Sequence, residues 1–270
     1  MLRTRILTAA VLACILLSGL FLLPPPWAVA AFGGVFTVAA WEWGGFGALR
    51  SRVARAAYAG GIALMLYLAW VWTDDPGHMI LLLRAAFVWW VIALLWLSLA
   101  PSRHRSALAL ACGLPVLVPA FVALARLQLT SQGFARGPKI VLWLVLLVIS
   151  ADIGAYFAGR RWGKRKLAPR VSPGKTWEGA LGGLLLVALV AWGGASYFGL
   201  PAPPTVIFGA AVGVFSIIGD LTESMFKRAV GLKDSGTLLP GHGGLLDRID
   251  SVTAAAPLYA LGLFGSGVIA

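Results

Sequence analysis

Charge is scarce in this sequence. Charged residues make up 12% of its 270 positions, where a soluble domain carries about 25%, so the chain is not built to meet water over most of its surface. Cysteine is nearly absent. Cys14 and Cys112 both fall inside apolar runs, which leaves no disulfide framework or thiolate metal motif and reads both as packing residues. No segment alternates apolar and polar residues with a period of two, so a membrane β-barrel is excluded. Soluble domain, low-complexity tail and convincing internal repeat are all missing. Gly174-Lys175-Thr176 has the end of a P-loop, but the motif's first glycine would fall on Pro169 and no strand precedes it. The Walker reading fails.

What the chain has in abundance is apolar length. Hydrophobic residues make up 60% of it, and its mean hydropathy is +0.88. Nine apolar spans can be marked, at roughly 6–23, 27–43, 56–72, 79–99, 107–125, 139–158, 178–198, 204–221 and 252–269. They predict an all-α integral membrane protein with about nine transmembrane helices. The net charge of +12 could point to nucleic acid, but the basic residues sit at the ends of apolar runs, as topology determinants and contacts to anionic membrane lipid would. Arg3 and Arg5 ahead of the first span, with Ala28-Val29-Ala30 beyond it, have the parts of a signal peptide. The run is longer than a usual signal core, and Pro24-Pro25-Pro26 before Trp27 reads more simply as a tight extracytoplasmic turn with an interfacial anchor. Trp70, Trp72, Trp89, Trp90 and Trp96 read as similar belt or packing residues.

Counting Lys and Arg orients the spans. With a cytoplasmic N-terminus and strict alternation, only Arg84, Arg126, Arg136 and Lys139 of the 22 basic residues face outward. That bias predicts a cytoplasmic N-terminus and an extracytoplasmic C-terminus. It also brings two polar segments, 159–177 and 222–251, to the same face. The acidic residues agree: of ten, seven lie between Asp152 and Asp250, and only Asp74 and Asp75 fall outside, in a short Pro-Gly turn. Residues 1–138 then form a mostly inert scaffold of about five helices, and 139–270 form the catalytic region. Glu42, between Trp41 and Trp43, is the exception in the first part and reads as interfacial, with lining a cavity as the alternative.

The residues able to carry chemistry lie in the second part. Asp152 and Tyr156 share a helix face, and an ionisable residue inside a span is a functional candidate; a snorkelling end residue is the alternative. The basic loop that follows suits phosphates through Lys175, nearby amides and Arg170, or anionic lipid through Arg160 to Lys166. Glu178 either positions Lys175 or opens the seventh helix favourably for its dipole. Asp220, Glu223, Ser224 and Lys227 form one polar stripe on a helix leaving the membrane, and Asp247 and Asp250 share another face. Carboxylates without His or Cys partners suit a hard cation such as Mg²⁺. Between them lies Pro240-Gly241-His242-Gly243-Gly244, a hinge whose amides could approach a phosphate. Lys227, Arg228, Lys233 and Arg248 supply cations. Together these parts serve metal-assisted phosphoryl or nucleotidyl transfer; a solvated loop with internal salt bridges is the bland alternative.

The order Ser224-x-Phe226-Lys227-Arg228, Lys233-Asp234-x-Gly236 and Leu239-Pro240-x-His242-Gly243-Gly244-Leu245-x-Asp247-Arg248-Ile249-Asp250 closely resembles the signature of the phosphatidate cytidylyltransferases, or CDP-diacylglycerol synthases. Ser172-Pro173-x-Lys175-Thr176-x-Glu178-Gly179 and Asp152-x-x-Ala155-Tyr156-x-x-Gly159 look like further motifs of that family. The resemblance covers roughly 150–251; the first half matches only in being hydrophobic. It implies a membrane enzyme, expected in a bacterial inner membrane with its site facing the cytoplasm. Such an enzyme makes CDP-diacylglycerol and pyrophosphate from CTP and phosphatidic acid, with Mg²⁺ and optionally a second cation. It further implies Asp220 and Asp247 as metal ligands supported by Glu223 and Asp250, and Asp220, Asp247, Lys227 and Arg248 as the catalytic set. Ser172, Lys175, Thr176, Ser224, Arg228, Lys233, His242, Gly243, Gly244, Asp152 and Tyr156 are then substrate contacts, and the enzyme is a homodimer.

Two other readings compete. One is a CTP-dependent enzyme acting on another lipid phosphate or on a polyprenol. The other is a lipid transporter, which predicts charges spread across several spans near the midplane, whereas here they cluster at one face. The orientation is directly testable: a cysteine placed within 222–251 is expected to react with an impermeant thiol reagent only from the cytoplasmic side, and labelling from outside overturns the shared-face argument.

Overall fold

The computed structural model describes residues 2–99, 106–131, 133, 135–239 and 243–269. Among them the chain forms nine helices and one short hairpin. The helices are α1 (Leu2–Phe21), α2 (Pro25–Trp43), α3 (Arg52–Trp72), α4 (Pro76–Leu99), α5 (Ser106–Leu129) and α6 (Gly137–Trp162), then α7 (Trp177–Phe198), α8 (Ala202–Ala229) and α9 (Leu246–Gly265). Strands β1 (Lys166–Ala168) and β2 (Ser172–Thr176) pair antiparallel between α6 and α7. Each expected apolar span falls on one helix. Six helices, α3 to α8, are long and apolar enough to cross a membrane, which makes this an all-helical membrane protein in its main architecture.

Local chemistry sets the helix ends. Proline, with φ already fixed and no N–H to lose, opens α2, α6 and α8. The Ser51 side chain caps α3 by accepting from the Ala54 amide at 3.5 Å, and Gly199, at φ 67°, ends α7 in the left-handed conformation. Two elements run further than apolarity alone indicates. α8 continues through Ala229, so Glu223, Ser224 and Lys227 stay on the helix that carries Asp220, and α9 starts at Leu246, which puts Asp247 and Asp250 in its first two turns. The basic segment expected as a loop contains the β1–β2 hairpin, a departure from the purely helical expectation.

α5 and α9 lie at the centre, with nearly all of α5 from Val116 to Leu127 and of α9 from Thr253 to Ala260 buried. α3, α4 and α7 turn much of their surface outward, and large apolar side chains such as Leu64, Tyr67, Val88 and Leu185 are exposed on them. Such a surface suits lipid, not water.

The most extensive pairing joins α6 and α7, and small residues make it possible. A Cβ placed on Gly154 would come within 2.5 Å of the Gly182 carbonyl oxygen, and one on Gly183 within 2.6 Å of the Ala151 carbonyl oxygen. Backbone is the obstacle in both cases and cannot rotate away. Gly219 does the same for α8 and α9, its missing Cβ lying 2.6 Å from the Asp250 carbonyl oxygen. These close approaches bring the ends of α6 and α8 and the starts of α7 and α9 to one end of the bundle. Gly154→Val is expected to cost several kcal/mol, above the usual overpacking range of about 1–3 kcal/mol, read as a large drop in melting temperature in detergent. Gly193→Ala, where an added Cβ meets nothing within 4 Å, does not lower it and is expected to raise it slightly through helix propensity.

Candidate active site

The polar end of the bundle is built around two ammonium groups. Lys175, near the end of β2, places Nζ 2.5 Å from Asp220 Oδ2 on α8. That contact ties the 159–177 segment to α8 just ahead of the 222–251 segment. Lys227, about two turns further along α8, lies 3.0 Å from Glu223 Oε1 and 2.7 Å from Asp247 Oδ1 on α9. The two pairs differ in exposure: side chains of the first are 27% and 25% exposed, those of the second 9%, 3% and 8%.

Asp247 accepts three kinds of donor. Besides Lys227, the amides of Ser235 (3.0 Å) and Gly244 (2.8 Å) donate to its carboxylate. The chain folds back onto this carboxylate through Gly243, at φ +78°, where a Cβ would lie 2.6 Å from Asp247 Oδ2. Only glycine satisfies both the dihedral and the space. Asp220 Oδ1 accepts from the Ser224 hydroxyl at 3.3 Å, one helical turn on. Glu223 is 2% exposed, and its Oε2 has no hydrogen-bond partner among the described residues. An orphaned carboxylate oxygen at that depth is costly unless a cation or donor arrives.

A cavity of ≈ 380 Å³ opens beside Lys175 between α6, the hairpin and α7, lined by Asp152, Tyr156, Arg160, Lys175 and Thr176 among others. The Tyr156 hydroxyl accepts from Arg160 at 2.9 Å, and Tyr156 and Phe157 are exposed on the outside of α6. The cavity thus combines the charged side chains of Asp152, Arg160 and Lys175 with the exposed ring of Tyr156.

Several residues singled out from sequence have other partners. Thr176 accepts from the Gly179 amide at 3.1 Å and caps α7. Arg228 donates to the Val171 carbonyl at 3.3 Å and the Leu232 carbonyl at 3.1 Å, bracing the hairpin turn against the loop after α8. Glu178 does not position Lys175. It accepts from the amides of Lys164 (3.0 Å) and Arg165 (3.1 Å), closing the turn after α6. Ser172 opens β2 opposite Ala168, while Lys233 and Arg248 are exposed. His242, with Pro240 and Gly241, lies outside the described residues.

Among the described residues no three His, Cys, Asp or Glu side chains converge as a ready-made metal cage; the carboxylates meet through the two lysines. The set is nonetheless entirely oxygen-bearing, with one deep oxygen unpartnered.

Sequence reasoning misplaced one residue. Glu42 is not interfacial: it is 4% exposed and accepts from the Ser235 hydroxyl and from the Leu245 and Leu246 amides. Its position at the end of an apolar run was visible in the sequence, but its partners nearly 200 residues away were not. The cap made by Thr176 yields a local test. Thr176→Ala is expected to lower stability by about 1 kcal/mol, read as a lower melting temperature in detergent. Thr176→Ser restores the melting temperature.

The chain as a whole is similar to known proteins. The cytidylyltransferase family matches residues 3–264. A phosphatidate cytidylyltransferase of Pseudomonas aeruginosa is 43% identical, with 99% of this chain and 98% of that protein covered. One of Haemophilus influenzae is 38% identical over 96% and 98%, and one of Helicobacter pylori 34% identical over 94% and 89%.

Proposed function

The chain belongs to the cytidylyltransferase family, and from that premise we propose that it transfers a cytidylyl group from CTP to phosphatidic acid, releasing pyrophosphate and forming CDP-diacylglycerol. The observation that carries this reading is the Lys175–Asp220 contact, which joins the hairpin to α8 beside a cavity lined by Asp152, Arg160 and the exposed Tyr156. A reaction between a water-soluble nucleotide and a lipid phosphate needs charged groups next to the lipid-facing surface.

In this reaction an oxygen of the lipid phosphate attacks the α-phosphorus of CTP. The bond from that phosphorus to the oxygen bridging the β-phosphate breaks, and pyrophosphate carries the electron pair away. The nucleophile arrives ionised, so little general-base work is required, and rate comes from positioning and charge neutralisation. Lys175 and the exposed Arg248 and Lys233 are the cations available to phosphate oxygens. Lys227 holds Glu223 and Asp247 in register, and Arg228 holds the hairpin against the loop after α8. Gly244 uses its amide to orient Asp247. Asp152 and Tyr156, with Ser172 and Thr176 on the hairpin side, shape the cavity that receives the lipid phosphate.

The donor set fits Mg²⁺, with a second cation as an option. Mg²⁺ is commonly held by one or two carboxylates with the rest of its shell from water and substrate phosphates, so a complete protein cage is not required. Asp220, Glu223 and Asp250 are the residues that would hold it, with the unpartnered Glu223 Oε2 the clearest sign. Asp247, whose carboxylate already receives an ammonium and two amides, would join through the acceptor capacity that these donors leave. When bound, the ion neutralises charge on the reacting phosphates.

The basic-residue bias along the chain supports nine membrane spans, a cytoplasmic N-terminus, an extracytoplasmic C-terminus and a site facing the cytoplasm, where CTP is available. A bacterial inner membrane fits the bacterial relatives. The reading keeps 1–138 as scaffold and 139–270 as the catalytic region, and the homodimer implied by resemblance belongs to it.

Purified protein in detergent, given labelled CTP, Mg²⁺ and a panel of lipid phosphates, is expected to move label into the organic phase with phosphatidic acid. Incorporation with none of the lipids overturns the reading. Asp220→Asn is expected to lower kcat/KM by about a hundredfold or more with little change in melting temperature.

A further inference from the structure

α9 begins without a cap of its own. The residue before it, Leu245, offers no side-chain hydrogen bond, and the first amides of any helix lack intrahelical partners. The missing acceptor comes from the opposite end of the sequence. Glu42, the penultimate residue of α2, accepts from the Leu245 amide with Oε1 at 3.0 Å and from the Leu246 amide with Oε2 at 2.8 Å. The same Oε2 accepts from the Ser235 hydroxyl at 2.9 Å. One buried carboxylate therefore holds both ends of the segment that wraps Asp247. Its partners are all donors, and it meets the positive end of the α9 dipole.

The surroundings are built for this contact. Trp43, next along α2, is fully buried; its indole donates to the Ala109 carbonyl at 2.7 Å and packs against Phe226, one residue before Lys227, at a ring separation of 5.2 Å. Glu42 thus stands on a fixed platform. On the loop side, a Cβ on Gly236 or Gly244 would run into the Glu42 carboxylate, so the backbone comes as near as glycine allows. The Ser235 amide and the Gly244 amide are themselves two of the donors that hold Asp247.

We propose that Glu42 is a positioning residue for the transfer reaction: as a cap supplied in trans to α9, it sets where Asp247 and Arg248 stand relative to Lys227. Glu42 touches no reacting atom. This rests on the activity proposed above, and the test has an arm that does not. Glu42→Gln keeps the side-chain size but turns one acceptor into a donor facing other donors.

In the full-length protein in detergent, amide hydrogen exchange across 235–247 is expected to rise at least about tenfold in Glu42→Gln, the scale of losing a charge-assisted hydrogen bond, while other segments keep their protection. kcat for label transfer from CTP to phosphatidic acid falls about ten- to a hundredfold with KM for CTP within about twofold, the pattern of an interaction realised only in the transition state. Glu42→Asp, which keeps the charge at a shorter reach, regains part of both. A purely structural role would instead raise exchange throughout the bundle and lower yield and melting temperature with kcat per folded protein intact, and that result overturns the proposal, as does unchanged exchange across 235–247. Should Glu42→Gln fail to fold, Ser235→Ala removes one of the three donors and is expected to loosen the same segment to a smaller degree; no change there overturns the proposal. If wild-type protein transfers no label to any lipid phosphate, the reaction reading fails, and the exchange arm alone decides whether Glu42 organises this segment.

Discussion

The ammonium of Lys227, buried between the carboxylates of Glu223 and Asp247, ties the end of α8 to the start of α9, and the arrangement of the site depends on that tie. Buried charges are costly singly and tolerable only when paired and hydrogen-bonded. Here two carboxylates share one ammonium, and the excess negative charge is met by amides on the Asp247 side and left unmet at Glu223 Oε2. The asymmetry matters. Asp247 already accepts three donors and serves as a fixed point of the loop, whereas Glu223 Oε2 has no hydrogen-bond partner among the described residues.

Glycine makes this possible by letting backbones meet. Without the close approach at Gly219, α8 and α9 would be held apart by a methyl group's width at the level of Asp250, and the acids of the two helices would not share one polar volume. The contacts of Gly154 and Gly183 do the same for α6 and α7, which carry the two walls of the cavity. In a lipid-facing bundle there is no hydrophobic force to press helices together, so such small-residue seams decide which helices become neighbours. The chemistry sits where the seams end.

Much of this was legible in the sequence because it is periodic or local. The apolar runs marked the helices to within a few residues. The spacing of Asp220, Glu223, Ser224 and Lys227 gave one face, and it is one face of α8. Helix ends were less legible: polar residues hid the last turns of α8 and the first of α9, since hydropathy falls before helical hydrogen bonding does. The hairpin was invisible for a related reason, because Pro169, Pro173 and Gly174 read as a loop and only pairing across the turn makes Lys166 and Thr176 partners. Long-range partners were beyond reach altogether. Nothing near Glu42 in the chain indicates Leu245 and Leu246, and nothing near Arg228 indicates the Val171 carbonyl. The first five helices, read as scaffold, contribute through a contact of that kind.

The difference in exposure between the two lysine pairs sets a division of labour. Lys227 and its partners are almost wholly withdrawn from solvent, so separating them would strand charges in a medium that solvates them poorly. Lys175 and Asp220 are each about a quarter exposed, and water can take over either partner at modest cost. In the reaction proposed above, the Lys175–Asp220 pair is therefore the one that an incoming phosphate would open, and the buried group around Lys227 is the frame against which it would do so.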